Sequence, residues 1–446
     1  MSDSQPSTGI LLPPLRLERG AARASGRAWA HYAPWQRWVY LAILFSVATA
    51  NYFDYFILSV LLDPIKQEFH ISDTMLGLLS GVCFALIYSA ATLPFARWAD
   101  RGNRRTVITL ALTGWSLMTM ACGLAQSFWQ LALARFGVGA FEPGALPPAQ
   151  SLVADYFPPE RRGTALSILT NGGSAAGWLV GVGFGGYVAA SHGWRAAFVL
   201  AGFLSLALAL VTRLTLPEPR AAVDFSGGSS RSESMRDALA SLRRKRSFVW
   251  ALSGLALYTV FAYGVMMFVP SFLERSFHAS LEQVSVIWGS IMSAANIVGA
   301  VVGGMLADRL SRRDVRWYAW VAAIGCALAF PLYLLAFSAR SLWTFIGIEF
   351  LAEWTLSMGV PMVFAVALAV SGSHRRATAS AVMWCAIALL GTNLGPLLVG
   401  GVSDALRAAY GEESLRYALL AIVGFLPPAA AACYWASRSM LQELEN

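Results

Sequence analysis

"ARWADRGNRR" (residues 96–105) and "GMLADRLSRR" (residues 304–313) carry one pattern, Ala-Asp-Arg-x-x-Arg-Arg, 208 residues apart (304 − 96 = 208). A second pair, "ERRGTALS" (160–167) and "HRRATASA" (374–381), recurs after 214 residues (374 − 160 = 214). Basic loops on one side of a membrane are an alternative source of the arginines. That alternative does not account for the aspartate in register at both places. The repeats therefore indicate two related halves.

The composition indicates an integral membrane protein. Of the 446 residues, 57% are hydrophobic and 13% are charged, which is too little charge to cover a soluble protein of this length. A helix needs about 20 apolar residues to cross a bilayer core of about 30 Å. Twelve stretches meet that length: 36–62, 74–96, 104–124, 128–153, 163–190, 194–216, 248–272, 283–307, 315–337, 341–370, 377–404 and 415–437. The predicted fold is an all-α polytopic membrane protein with twelve transmembrane helices in two pseudo-symmetric six-helix halves.

These spans, numbered 1 to 12 in chain order, divide the chain into five segments. The segments are a disordered cytoplasmic tail at 1–34, an N-terminal half at 35–216, a cytoplasmic linker at 217–247, a C-terminal half at 248–437 and a cytoplasmic tail at 438–446. In the linker, Met235, Leu239 and Leu242 fall at i, i+4 and i+7 beside basic residues. That spacing predicts a short amphipathic helix on the anionic inner leaflet.

Basic residues predict the orientation. With the N-terminus inside, 26 of the 33 Lys and Arg residues lie in the tails and loops of that side, six lie in outer loops and Arg135 lies in a span (26 + 6 + 1 = 33). Basic residues concentrate on the cytoplasmic side of membrane proteins. We therefore expect both termini to be cytoplasmic, in the inner membrane of a bacterium. The net charge of +8 then reflects topology and not nucleic-acid binding.

Ionisable residues inside the spans are the candidate working groups. Asp54 and Arg135 lie at similar depth, each about eight residues from external ends near 62 and 127 (62 − 54 = 8; 135 − 127 = 8), and Glu142 lies two turns further along span 4. Buried charges in a membrane usually mark a pathway, and an Asp54–Arg135 pair would lower the cost of both. The alternative is a static ion pair that only fixes helix packing.

Span 10 carries two further acids, Glu349 and Glu353, at i and i+4. Glu349 is the counterpart of Arg135 in the second half (135 + 214 = 349). A cavity with more carboxylates than cations favours a cationic or zwitterionic head group. The alternative is that one of these glutamates bonds Asn or Thr of a neighbouring helix, or faces another span.

Polar and aromatic residues complete the predicted substrate cavity, although each also suits packing or an interface anchor. Together with the two acids of span 10 they are Tyr55, Tyr88, Asn171, Tyr263, Asn296, Trp384 and Asn393.

The repeated Asp-Arg-x-x-Arg-Arg loop and the long central linker resemble the major facilitator superfamily. Four stretches are similar to its spinster branch: "NYFDYFILSVLLDPIKQEF" (51–69), "WADRGNRR" (98–105), "ARFGVGAFEPG" (134–144) and "DYFPPERRGTALS" (155–167). The resemblance implies the major facilitator fold, with spans 1 and 4 facing a central cavity.

The resemblance also implies proton coupling at Asp54, with Arg135 and Glu142 as partners. Two departures stand out. The family often has Arg after the span 1 aspartate, where this chain has Tyr55, and that loss weakens the expectation of a strongly anionic substrate. Pro143 follows the span 4 glutamate and predicts a bend in that helix.

In the superfamily the repeated loop acts as a cytoplasmic gate that latches one conformation. The alternative is that its charges only set topology. The residues implied here are Asp100, Arg101, Arg104, Arg105, Asp155, Arg161, Asp308 and Arg309.

Other classes of protein lack their signatures. The chain's two lysines, Lys66 and Lys245, are not part of a Walker A motif, and no HExxH or GxSxG motif of an enzyme occurs. We expect no enzyme activity, cofactor or metal. The prediction is a proton-coupled secondary active transporter that works by alternating access on an amphiphilic or lipid-like molecule. Its expected partners are that substrate, protons and the lipid bilayer, as a monomer without nucleic acid. The alternatives are a proton symporter for small organic acids and a non-transporting membrane sensor.

Overall fold

The computed structural model describes residues 28–219, 235–371 and 376–444, and within these ranges the chain is helical without a β-strand. By length and composition, nine helices in the described part are able to cross a membrane. Thr164–Thr215 and Val382–Glu443, of 52 and 62 residues, are each long enough for two spans. Span 4, which is interrupted, adds one more (9 + 2 + 1 = 12). The predicted twelve-helix, two-half architecture is confirmed.

In the N-terminal half, spans 2, 4 and 5 consist of several consecutive helical segments. Span 1 is Pro34–Phe69, span 2 is Asp73–Gly77, Leu78–Val82 and Cys83–Arg101, and span 3 is Arg104–Gly123. Span 4 is Phe128–Phe141, Glu142–Gly144 and Leu146–Tyr156. Span 5 begins with Pro159–Ser167, Ile168–Gly172, Gly173–Trp178 and Leu179–Phe184. The last segment, Gly185–Thr215, contains the end of span 5 and all of span 6. It turns at Gly193, whose φ of 83° lies in the region that favours glycine.

The C-terminal half follows a linker helix, Met235–Arg244. Span 7 is Arg246–Phe277, span 8 is Gln283–Trp288 and Gly289–Ser311, and span 9 is Trp317–Phe337. Span 10 is Leu342–Ser357 and Val360–Val370, and span 11 is Arg376–Ala386, Ile387–Gly391 and Thr392–Tyr410. After a short turn at Gly411–Glu413, span 12 is Ser414–Val423 and Leu426–Leu444. Span 12 continues to Leu444, into the segment expected to be a tail, and the Glu443 carboxylate accepts hydrogen bonds there from the first backbone N–H groups of span 7.

Equivalent residues in the two halves have equivalent local structure. Spans 1 and 7 both end at a histidine in the left-handed region, His70 and His278, 208 residues apart (278 − 70 = 208). Spans 4 and 10 both begin after a serine N-cap, Ser127 and Ser341, 214 residues apart (341 − 127 = 214). A non-glycine residue with positive φ is uncommon, so its recurrence at the repeat offset is strong evidence for two related halves.

Span 4 is interrupted where the sequence predicted a bend. The α-helix ends at Phe141, and Glu142–Gly144 forms a 3-10 turn before the helix resumes at Leu146. Pro143 has no backbone N–H to donate, and its ring clashes with the carbonyl group four residues earlier. The series of α-helical hydrogen bonds therefore ends there. The break leaves Glu142 at the junction of two helical segments.

The two ends of the bundle differ. We call the end with the chain termini and the linker the terminal face, and the end with the loops between spans 1 and 2, 7 and 8, and 11 and 12 the opposite face. Span 2 packs on span 11, span 5 on span 8 and span 1 on span 7. At the opposite face this packing requires glycine, because a Cβ on Gly77 would lie 2.5 Å from the Pro396 carbonyl oxygen and one on Gly400 would lie even closer to that of Asp73.

Candidate transport site

Asp54 is fully buried near the middle of span 1. Its Oδ2 accepts a 2.5 Å hydrogen bond from the Thr119 hydroxyl of span 3, and its Oδ1 has no hydrogen-bond partner. Thr119 is itself buried, so the bond is shielded from water. Sequence analysis missed Thr119, because one threonine in an apolar span gives no sign of the direction in which it points.

The Arg135 side chain bonds the backbone of Asp54 and not its carboxylate. Its Nη1 donates to the Asp54 carbonyl oxygen at 3.3 Å, and the guanidinium carbon lies 5.3 Å from the centre of the Phe84 ring. The Nε and Nη2 of this buried guanidinium have no partner. The expected ion pair between the two side chains is therefore not formed in this structure, because Thr119 occupies the carboxylate while Arg135 turns to the main chain and the ring.

Glu142 is the third member of the set, with 2% of its surface exposed. Its Oε2 has no hydrogen-bond partner, and its charge acts on the Asp54 carboxylate and on the hydroxyl groups of Tyr52 and Tyr88. Two carboxylates and one incompletely bonded guanidinium therefore share a buried region of the N-terminal half. Such a set has several ways to pair, since arginine stays charged and binds carboxylates through more than one nitrogen.

Aromatic rings enclose this set and extend to the other half. The Tyr55 ring lies 5.8 Å from Phe84 of span 2 and 5.9 Å from Tyr263 of span 7, and Phe84 lies 5.4 Å from Tyr88. The Tyr55 hydroxyl is buried without a hydrogen-bond partner. Three of the predicted cavity residues thus form one aromatic group that joins the two halves beside Asp54.

The two acids of span 10 have hydrogen-bond partners that do not belong to the set of Asp54, Arg135 and Glu142. Glu353 accepts hydrogen bonds from Asn296 at 3.0 Å and Ser357 at 2.8 Å on Oε1, and from Tyr333 at 2.8 Å on Oε2. This arrangement matches the alternative in which a glutamate bonds an asparagine of a neighbouring helix. Glu349 is buried and accepts a 2.6 Å bond from the Trp288 indole of span 8. Contact of either acid with substrate stays a prediction.

The other predicted cavity residues are dispersed. The Asn393 side chain donates to carbonyl oxygens of its own helix, at Ala388 and Leu389, close to the contact between spans 2 and 11. Trp384 is 56% exposed and packs on Phe364. The Asn171 side chain lies outside the described part of the structure.

At the terminal face, one predicted gate contact is present within the N-terminal half. Arg104 is 1% exposed and forms ion pairs with Asp155 at 2.6 Å and with Glu218 at 2.7 Å. Arg105 donates to the Leu216 carbonyl oxygen at 3.2 Å. Glu218, at the end of the N-terminal half, was not among the predicted gate residues.

The remaining predicted gate residues do not join the halves in the described part of the chain. Asp308 is exposed and accepts a bond from Tyr318 of span 9, and Arg161 and Arg309 are exposed. The side chains of Asp100 and Arg101 lie outside the described part.

The opposite face carries an ion network that sequence analysis did not predict. Arg275, at the end of span 7, bonds Asp63 of span 1 at 2.6 Å and Asp73 of span 2 at 3.0 Å. Lys66 also bonds Asp73, at 2.6 Å. These residues line a polar cavity of about 610 Å³ together with Glu274 and others.

A helix cap between the halves reinforces this network. Asp404 of span 11 accepts from the backbone N–H groups of Asp73 at 3.0 Å and Thr74 at 2.7 Å, and from the Thr74 hydroxyl at 2.6 Å. Ser403 donates to the Asp73 carboxylate at 2.7 Å. A carboxylate at a helix N-terminus is stabilised by the unpaired N–H groups there. The cap therefore ties the C-terminal half to the start of span 2.

Two repeated six-helix halves around buried ionisable residues define the class of protein, a polytopic membrane transporter. The sequence matches the Major Facilitator Superfamily over residues 44–396, and the chain belongs to that family and to its spinster-like branch. The family consists of transporters and not enzymes, as the sequence predicted.

Known proteins resemble this chain over most of its length. An MFS-type efflux pump of Mycolicibacterium smegmatis is 35% identical over 91% of this chain and 93% of its own. The cis,cis-muconate transport protein of Acinetobacter baylyi is 30% identical over 63% of this chain and 67% of its own. The crystal structure of a bacterial homolog to the human lysosomal transporter spinster, inward-facing and unoccupied, has a TM-score of 0.84 at 30% identity and covers 92% of this chain and 99% of that one.

Proposed function

We propose that this chain is a proton-coupled secondary active transporter of amphiphilic molecules that works by alternating access in a bacterial inner membrane. Both termini are placed in the cytoplasm, so the opposite face is external. The observation that carries the proposal is Arg135, a buried guanidinium with two unbonded nitrogens in the same region as the buried carboxylates Asp54 and Glu142. The likeness to a spinster homolog and an efflux pump supports a transport function.

The coupling follows from competition for Arg135. In this structure the Asp54 carboxylate is held by Thr119, and Arg135 is held only by a carbonyl oxygen and a ring. The ionised Asp54 carboxylate attracts the guanidinium of Arg135, and a proton on Asp54 removes that attraction. The guanidinium then turns to Glu142 or to an acidic group of the substrate. Release of the proton restores the first arrangement. Substrate and proton thereby act on one cation, as coupled transport requires.

The substrate class follows from the rings and from Tyr55. The aromatic group of Tyr55, Phe84, Tyr88 and Tyr263 offers apolar surface with polar edges. With tyrosine where relatives often carry arginine, Arg135 is the one buried cation described beside Asp54. We therefore infer an amphiphile with at most a small anionic charge.

The second candidate is a proton symporter for small organic acids, favoured by the likeness to a muconate transporter. The purified protein in liposomes with an imposed pH gradient separates the two candidates. Fluorescent lysophosphatidylcholine and cis,cis-muconate serve as probes. Gradient-driven movement of the lipid probe alone supports the proposal, and movement of muconate alone overturns it in favour of the acid.

Proton coupling is tested with Asp54→Asn. We expect this variant to lose gradient-driven transport at least tenfold and to keep exchange of probe across the membrane without a gradient. Asp314→Asn is the control, because it makes the same change on a carboxylate that lies in a loop and not in a span. There the hydrogen bond from Arg316 holds the pKa of the Asp314 carboxyl below its usual range. Gradient-driven transport that survives in Asp54→Asn would end the coupling proposal.

A further inference from the structure

Glu349 is a buried carboxylate that the coupling proposed above does not use. It is 2% exposed, and its Oε2 accepts a 2.6 Å hydrogen bond from the Trp288 indole N–H. The titratable groups that act on it are Glu353 on its own helix and Tyr333 of span 9. In the described part of the chain no Lys, Arg or His forms an ion pair with it. An ionised Glu349 is thus held by one indole and not by a cation.

Trp288 belongs to the contact between the halves. Its ring lies 5.7 Å from Trp178 of span 5, and the Trp178 indole donates to the Gly289 carbonyl oxygen of span 8 at 3.0 Å. A Cβ on Gly289 would lie 2.8 Å from Val182 of span 5, so the two spans are in close contact there. Trp288 also ends the π-helical turn Gln283–Trp288, a distortion that often marks functional sites in helices.

The same aromatic contact extends to span 1, which carries Asp54. The Phe56 ring, two residues after Asp54 in span 1, lies 4.9 Å from Trp178. Phe56, Trp178 and Trp288 therefore form a continuous packed column between the span that carries Asp54 and the residue that bonds Glu349. Opening the opposite face separates span 5 from span 8 and must break this column.

We propose that Glu349 is a second proton-responsive residue, which acts through Trp288 on the contact between spans 5 and 8. When it is ionised, the charge-assisted bond holds the Trp288 ring against Trp178 and keeps the opposite face closed. When it binds a proton, the bond weakens and that face opens more readily. Glu349 is a positioning residue in this scheme. The inference rests on the proposed proton-coupled transport and adds a second titrating group to it.

The test measures how the opening of the opposite face depends on pH, and it needs no substrate. Spin labels at Ser191→Cys and Glu282→Cys, two exposed positions at the ends of spans 5 and 8, report the separation in liposomes. Cys83→Ala and Cys385→Ala remove the thiols that are not fully buried. In this background we expect the open fraction to rise as the pH falls from 8 to 5.

Glu349→Gln keeps an acceptor for the indole but has no charge. We expect its open fraction at pH 8 to be about fivefold higher, since a charge-assisted bond is roughly twice as strong as a neutral one. We also expect a shallower dependence on pH. Trp288→Phe removes the donor and should give the same two changes. Asp314→Asn is the control, because that acid lies in a loop at the terminal face and pairs with Arg316, and it should leave both quantities unchanged.

The outcomes are distinct. If Glu349→Gln changes the open fraction equally at every pH, the residue is structural and the inference is wrong. If Trp288→Phe keeps the pH dependence of the parent protein, action through the indole is excluded. Asp54→Asn in the same background tests the proposed function separately. A normal pH dependence in Glu349→Gln with a lost one in Asp54→Asn would overturn this inference and leave the proposed function intact.

Discussion

Replacement of Arg275 by glutamine is expected to open the opposite face. Arg275 joins the halves by bonds to Asp63 and Asp73, and the three side chains are 11%, 8% and 1% exposed. Asp73 keeps Lys66 and Ser403 after the replacement, but Asp63 keeps only a weaker bond from Gln67 at 3.2 Å. The unpaired Asp63 carboxylate gains hydration when the face opens, which shifts the equilibrium in that direction.

The size of the effect follows from the bonds lost. A hydrogen bond to a charged group contributes about 1.5 to 3 kcal/mol. Because Asp73 is still bonded, we count chiefly the bond to Asp63 and expect a shift of about 2 to 3 kcal/mol in favour of the open state. That corresponds to a change of roughly 30- to 150-fold in the ratio of open to closed molecules.

Spin-label distances across the opposite face measure that ratio. Arg195→Gln is the matched control, since Arg195 and Glu68 form an ion pair at the same face but within the N-terminal half, with 36% and 44% exposure. We expect the control to leave the distances unchanged. If Arg275→Gln also leaves them unchanged, or if both variants shift them equally, the network does not hold the halves together and the reasoning is refuted.

Two further predictions concern a close contact and a buried charge. Gly77→Ala places a Cβ 2.5 Å from the Pro396 carbonyl oxygen, so we expect the closed state to lose about 1 to 3 kcal/mol and the same distances to lengthen. Gly183→Ala, with no atom within 4 Å of its Cβ, should have no effect. Arg104→Gln removes the buried guanidinium that pairs with Asp155 and Glu218 and should destabilise the protein by about 3 to 5 kcal/mol, seen as a lower unfolding temperature in detergent. The exposed Arg316→Gln should leave that temperature unchanged.

The sequence was sufficient for the architecture because hydropathy and repeats are properties of the chain itself. Apolar length predicted the spans, and the two offsets predicted the halves. The bend in span 4 was predictable for the same reason, since proline at position 143 acts on its own helix.

Contacts between spans were harder to predict, because they depend on how each helix is rotated and on which helices meet. Equal depth predicted a pair of Asp54 and Arg135, but depth carries no information about rotation. The structure therefore shows Thr119 on the carboxylate and Arg135 on the main chain.

The network at the opposite face escaped prediction for a related reason. Asp63, Asp73, Arg275 and Asp404 each lie at a span end, where charged residues are ordinary in membrane proteins. Only the packing of spans 1 and 2 against spans 7 and 11 distinguishes them from loop charges. In the sequence, Ser72-Asp73 at the start of span 2 resembles a helix cap, but nothing there identifies a capping carboxylate 331 residues away.

The bonds between the two halves are distributed unevenly over the two faces, and this bears on the gate at the terminal face. In the described ranges, the hydrogen bonds and ion pairs between the halves lie at the opposite face or in the Trp178–Gly289 contact. A transporter needs both of its states to be populated, so their free energies differ by only a few kcal/mol. New bonds at the terminal face must then offset the network when the opposite face opens. We predict this role for Arg161 and Arg309, which are exposed and form no ion pair among the residues that the structure describes. The closed opposite face therefore adds an energetic argument for the terminal gate, which the repeated loop implies by family resemblance and which stays a prediction.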